Sequence, residues 1–103
     1  MSKRTVSIII PSYNYAHFLK KTLTSALQQQ DDSFDLEVLL IDDGSTDDTR
    51  TLVQKFFPKV QYHYQENQGE SVARNTGIAC AKGDFLLFWM PMISYRPSIC
   101  ALR

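Results

Sequence analysis

Four short apolar runs recur along the chain, separated by amphipathic stretches and polar turns. Val6-Ser7-Ile8-Ile9-Ile10 is β-branched and is ended by Pro11, Leu36 to Ile41 stops at Asp42-Asp43-Gly44-Ser45, Val60 to Tyr64 alternates, and Asp84 to Phe88 closes the series. A continuous apolar run like the first suits a parallel strand buried on both faces. Between the first two, Phe18, Leu19, Leu23, Ala26 and Leu27 recur at helical spacing up to Gln28-Gln29-Gln30, with Asn14 expected as the cap. Leu52, Val53 and Phe56 form the buried stripe of a second helix that Pro58 ends; Ser45 or Thr46 is its expected cap, and Asp47 and Asp48 suit the positive end of its dipole. Ser71 to Ala81 reads as a third helix that offers Val72, Ala73, Thr76, Ile78 and Ala79 for packing and stops at Gly83. The βαβαβαβ order predicts an α/β fold: a parallel sheet of about four strands with right-handed crossovers, three helices and an irregular C-terminal tail.

Composition narrows the function. At 103 residues the chain is one domain at most, with room for a modest core. Eleven basic side chains balance eleven acidic ones, which argues against a nucleic-acid binder held by phosphate attraction and leaves small molecules and proteins as partners. The longest apolar runs, Val6 to Pro11 and Phe85 to Ile93, are too short to span a bilayer, and no secretory leader opens the chain, so a cytoplasmic location is expected. Cys80 and Cys100 lack CxxC spacing and read as small apolar fillers.

A parallel sheet places its ligand beyond the carboxyl ends of its strands, here Pro11-Ser12-Tyr13-Asn14, Asp42-Asp43-Gly44-Ser45, Glu66-Asn67-Gln68-Gly69 and the segment after Phe88. Asp42 and Asp43 are the sharpest signal, because adjacent carboxylates at a strand end repel one another unless something holds them. Two readings stand: both cap the following helix, or they accept a charge-assisted hydrogen bond from a ligand N–H such as a uracil or guanine ring nitrogen. Arg74, early on the third helix beside a glycine loop, can reach a phosphate bidentately or be an ordinary surface cation. Tyr13 and Tyr15 can stack on a base or staple the helix start. His17 and His63 lack metal-ligand neighbours. No GxGxxG follows the first strand, no GxxxxGK[ST] occurs, a phosphatase nucleophile would need an aspartate where Ile41 stands, and Asp42-Asp43-Gly44 lacks calcium-loop spacing.

In order and register, "SIIIPSYN", "LEVLLIDDGSTDDT" and "QENQGESVARNTGIACAKGDFLLF" resemble the amino-terminal half of family 2 glycosyltransferases, which have the GT-A nucleotide-sugar transferase fold. The resemblance covers about Val6 to Phe88. It implies a UDP-, GDP- or dTDP-sugar donor, with Pro11, Tyr13 and Asn14 lining the nucleotide, Asp42 and Asp43 holding the base, and Asn67, Gly69 and Arg74 closing over base and diphosphate. It further implies inverting transfer, in which an acceptor hydroxyl, deprotonated by a carboxylate, displaces the diphosphate while Mg²⁺ or Mn²⁺ neutralises the leaving group. The acceptor is not readable, and a non-catalytic nucleotide-binding or interaction module is the alternative.

The family pattern breaks after Phe88, where a Leu-Asp-x-Asp-Asp type metal motif is expected and Trp89-Met90-Pro91-Met92-Ile93 stands instead. Back-translating Phe88 to Ile93 and starting one base earlier yields Leu-Asp-Ala-x-Asp, largely forced because Trp and Met have single codons. Residues 1–88 thus read as the nucleotide-sugar-binding half and 89–103 as an out-of-frame tail, the alternative being a divergent one. No metal ligand and no catalytic residue is assigned, turnover is not expected, and the last strand should leave an open edge suited to self-association. Peripheral membrane association is left open.

Overall fold

The structure is a computed structural model and describes residues 4–89 together with the strand 98–102. The elements are β1 (Arg4–Ser12), α1 (Ala16–Leu27), β2 (Phe34–Asp43), α2 (Thr49–Phe56), β3 (Gln61–Gln65), α3 (Glu70–Cys80), β4 (Phe85–Phe88) and β5 (Ser98–Leu102). They form one sheet of order β3-β2-β1-β4-β5, with the first four strands parallel. The expected α/β architecture is present.

Strict side-chain alternation on the two central strands divides the core into two layers. Ile8, Ile10, Val38 and Leu40 face α1 and α2, meeting Leu19, Leu23, Ala26 and Val53. Ile9, Leu39 and Ile41 face the other way, against Ala73 and Ala81. Helix α3 lies tight on the sheet because Gly77 has no side chain: a Cβ there would fall 2.3 Å from Ile9 Cγ2. Ala73 and Gly77 are therefore its buried residues, while Val72 and Ala79, offered for packing by the periodicity, are exposed. At the amino end of the sheet, Glu37 accepts bonds from the Ser7 hydroxyl, the Lys82 N–H and the Gln61 amide, tying three strands and the α3–β4 turn.

Four local expectations are corrected. Pro11 does not end β1, which runs to Ser12. Ile9 O accepts from Trp89 N, so alternate residues of β1 turn their backbone groups toward β4; Pro11 lies beyond the last paired residue of β4 and breaks no ladder bond. Asn14 does not cap α1: its φ is 54°, Tyr15 holds the cap position, and no side chain there closes the cap. Phe56 is 55% exposed and Phe57 is buried in its place, because Phe57 leaves the helix at φ −133° and turns its ring inward. Finally, the edge expected to be open at β4 carries β5, which pairs antiparallel from Phe85↔Leu102 to Phe88↔Ser98 with a register shift at Leu86/Leu87. The rest of the tail lies outside the described residues.

Candidate functional site

The alternation that divides the core continues past it. Asp42 and Asp43 end β2, so their carboxylates leave on opposite faces of the sheet. Both are buried, at 1% and 4% exposure, and their surroundings differ.

Asp43 is on the α3 face, and the β3–α3 loop wraps it. Its Oδ1 accepts from Gln65 Nε2 and Gln68 N, both at 2.9 Å, and its Oδ2 accepts from Gly69 N at 2.9 Å. Asn67 Nδ2 donates to the Asp43 carbonyl at 2.9 Å and lies 3.4 Å from Oδ2. Gly44 permits this approach: its φ is +85°, and a Cβ would fall 2.7 Å from Asn67 N. Oδ2 has one close donor and one long one, which leaves acceptor capacity for a further N–H.

Asp42 faces the α2 side. Its Oδ1 accepts from Ser45 N at 2.8 Å and its Oδ2 from the Tyr62 hydroxyl. Burial pushes the Tyr62 phenol up, and Asp42 beside it pushes in the same direction, so Tyr62 stays a donor. Arg50 lies 5.7 Å from the Tyr62 ring centroid and 5.1 Å from that of Tyr64.

A second set of bonds joins the β1–α1 and β2–α2 loops. Asn14 N donates to Ser45 Oγ at 2.8 Å, and Asn14 Oδ1 accepts from Thr46 N at 2.8 Å and Asp47 N at 3.3 Å. Asp47 returns the link, accepting from Ala16 N in the first turn of α1 at 3.1 Å and from Thr49 N in α2 at 3.1 Å. One carboxylate therefore serves the amino ends of two helices, in place of the Asn14, Ser45 and Thr46 caps expected. Burial raises the Asp47 pKa, but the Thr49 hydroxyl and the Ala16 and Thr49 N–H groups outweigh it and hold the carboxyl below its usual range.

Between β1 and α3 lies a cleft of about 210 Å³ lined by Pro11, Ser12, Tyr13, Tyr15, Asp43, Glu70 and Ala73. Of the expected site residues, Pro11, Tyr13 and Asp43 meet in it; Asn67 and Gly69 hold Asp43, and Asn14 ties the adjoining loops. Arg74 follows Ala73 on α3 at the same rim without lining the cleft. Asp42 lines a separate hollow with Ser45, Asp47, Arg50, Thr51, Tyr62 and Tyr64. Residues given no role of their own by the sequence are Gln65 and Gln68, which orient Asp43; Glu70 and Ala73, which wall the cleft; and Ser12, whose buried hydroxyl has no hydrogen-bond partner among the described residues. Gln65 adjoins the Asn67 loop and Gln68 lies within it, but Gln68 acts through its backbone N–H, which its side chain does not announce. Ser12 carried no signal beyond its neighbours.

The donor set does not fit a divalent cation. No group of three or more His, Cys, Asp or Glu side chains converges among the described residues, and Asp42 and Asp43 leave on opposite faces, so that they cannot share one ion.

A cleft and a held carboxylate at the carboxyl rim of parallel strands is the arrangement in which α/β domains take their ligands. Solved structures place the chain among GT-A glycosyltransferases. S. aureus TarS 1–349 in complex with UDP superimposes with TM-score 0.72 at 31% identity, over 84% of this chain and 27% of that one. The Pyrobaculum calidifontis mannosyltransferase PcManGT in complex with GDP-Man and Mn²⁺ gives 0.69 at 26% identity, over 88% and 28%. An uncharacterized glycosyltransferase of Nostoc sp. is 40% identical over 87 residues, 81% of this chain and 26% of that protein. Residues 7–89 match Glycosyl transferase family 2, and the chain belongs to that family. It spans about a quarter of the length of these relatives.

Proposed function

We propose that this chain is the donor-binding half of a family 2 glycosyltransferase: it takes the nucleotide of a nucleotide-diphospho-sugar into the β1–α3 cleft and, as it stands, does not turn it over. The observation that carries this reading is Asp43, a buried carboxylate oriented by two backbone N–H groups and two side-chain amides, at a cleft that also presents Tyr13. A ring N–H of uracil, thymine or guanine would donate to Oδ2 while the Tyr13 ring, 45% exposed, offers a stacking face. Pro11 would floor the pocket, Ser12 Oγ would gain a partner, and Arg74 would meet the diphosphate from the first turns of α3. Asn14, Asn67 and Gly69 would position the cleft, and Asp42 would act through the fold alone. Relatives whose structures hold UDP or GDP-Man support this reading.

Residues from Trp89 onward belong to the same proposal. The family match runs to residue 89, where the one-base-earlier reading of the codons restores carboxylates. A metal motif lost to one base would remove leaving-group stabilisation and leave donor binding to the rim. Titration of the chain with UDP, GDP and dTDP, with and without Mn²⁺, tests it: saturable binding of one nucleotide without metal is expected, and no binding of any would sink the donor-site assignment. Resequencing the source DNA tests the tail separately. Sugar transfer regained on restoring the frame supports the enzyme; nucleotide binding without transfer in the restored protein assigns a non-catalytic module instead.

A further inference from the structure

The Phe56 ring is the largest apolar group on the outside of the α1–α2 layer, and its setting is cationic. Lys20 Nζ and Lys55 Nζ each lie 5.4 Å from its centroid, one reaching from α1 and one from α2. Lys21 follows on α1, where Lys20, Lys21, Thr24, Ser25 and Gln28 line a shallow depression of about 450 Å³. Helices α1 and α2 together carry Lys20, Lys21, Arg50 and Lys55 and no Asp or Glu, in a chain whose formal net charge is zero. Three cations, Lys20, Lys21 and Lys55, thus gather on one flank around an exposed phenyl group, while Arg50 turns to the Tyr62 and Tyr64 rings and Asp48 stands at the opposite end of α2 from Lys55. The carboxylates Asp43 and Glu70 belong to the cleft beside α3.

We propose that this flank docks on an anionic lipid bilayer, with Lys20, Lys21 and Lys55 against the headgroups and the Phe56 ring inserted at the headgroup–acyl boundary. The chemistry selects this partner. Clustered lysines are drawn to an anionic surface, and an aromatic ring among them adds an apolar contribution that salt does not screen. A second copy of the chain fits poorly, because a two-fold contact would set each lysine cluster against its own image. A nucleic acid would need a basic surplus that the balanced charge does not supply. No helix among the described residues is long and apolar enough to cross a membrane, so the contact is interfacial. The inference does not rest on the donor-site reading.

Sedimentation of the full chain with vesicles of phosphatidylglycerol and phosphatidylcholine, against pure phosphatidylcholine, tests it. Binding to the anionic vesicles alone is expected, weakening as salt rises. Each lysine is worth roughly a fivefold change in partition, so Lys20→Gln/Lys21→Gln/Lys55→Gln should lower it by about 100-fold. Phe56→Ser should weaken binding while retaining its salt dependence, and Lys82→Gln, in the α3–β4 turn, should leave it unchanged. These are exposed side chains, and circular dichroism reports whether each variant keeps the fold. The proposal is overturned by equal binding to neutral vesicles, by no binding to anionic ones, or by a triple variant that binds like its parent. It is also overturned if Lys82→Gln costs as much as a patch lysine, or if sedimentation equilibrium shows a dimer that Phe56→Ser dissociates.

Discussion

Asp42 and Asp43 are neighbours in the chain and belong to different parts of the molecule. On the α2 face, Asp42 is closed off by Ser45 N and the Tyr62 hydroxyl and acts as a brace between β2 and β3. On the α3 face, Asp43 is held by a loop that leaves part of Oδ2 available beside an aromatic-lined cleft. The same side chain at the same depth thus serves structure on one face and, in the proposed reading, recognition on the other. What separates them is the two-residue period of the strand and the donor each face supplies: a phenol that burial keeps protonated, or backbone N–H groups at a helix start.

Replacing each in turn is the strongest way to break this comparison. Asp43→Ala should cost about 3 kcal/mol of stability, as a charged acceptor of several hydrogen bonds is lost, and should weaken nucleotide binding at least tenfold. Asp42→Ala should cost about 1–2 kcal/mol, from Tyr62 and Ser45 N left without an acceptor, and should leave nucleotide affinity within about twofold. Urea denaturation and calorimetric titration measure the two quantities. Equal losses of affinity in both variants would show that the two faces do not act separately.

Gly44 offers a sharper, smaller test, because it joins the two carboxylates to the Asn67 loop without contributing a side chain. Gly44→Ala sets a Cβ on backbone at φ +85° and 2.7 Å from Asn67 N. It should destabilise the fold by about 1–3 kcal/mol and displace the loop that orients Asp43. Amide exchange should quicken at Gln68 and Gly69 and stay unchanged at Ser45, whose N–H belongs to Asp42 on the other face. Faster exchange at Ser45 alone would contradict the coupling.

The two faces also differ in how far the sequence reveals them. The runs Ile8 to Ile10 and Val38 to Ile41 carry enough β-branched and aliphatic character to announce buried parallel strands, and the amphipathic spacing of Leu19, Leu23 and Ala26 announces α1. Alternation alone would also have put Asp42 and Asp43 on opposite faces. The contacts that make the rim rigid were not legible, because they join residues far apart in the chain: Asn14 with Thr46, Asp47 with Ala16, Asp43 with Gly69. A short polar side chain beside a helix start looks like a local cap whether it serves its own helix or the neighbouring loop. Phe56 and Phe57 show the same limit at a helix end, where the chain leaves helical φ and the 3.6-residue period no longer says which ring turns inward.

The smallest effect is that of pH, and it acts on the carboxylates and the phenol in opposite directions. Asp47 and Glu37 have lowered pKa values: burial raises each, and hydrogen bonds outweigh it, from Thr49 and Ala16 to Asp47 and from Lys82, Ser7 and Gln61 to Glu37. With the folded value below the unfolded one, the unfolded chain binds more protons on acidification, so their stabilisation is complete above about pH 5 and drains away as pH falls through and below the ordinary carboxylate range. Tyr62 has the reverse sign: burial and then Asp42 raise its pKa, so its contribution is complete below about pH 10 and is lost as pH rises further. Urea midpoints measured from about pH 3 to about pH 11 should therefore fall at both ends. Asp47→Asn should flatten the acid limb alone and Tyr62→Phe the alkaline limb alone. An acid limb unchanged in Asp47→Asn would mean that its bonds to Ala16 and Thr49 do not hold in solution, and the link between the two loops would have to be redrawn.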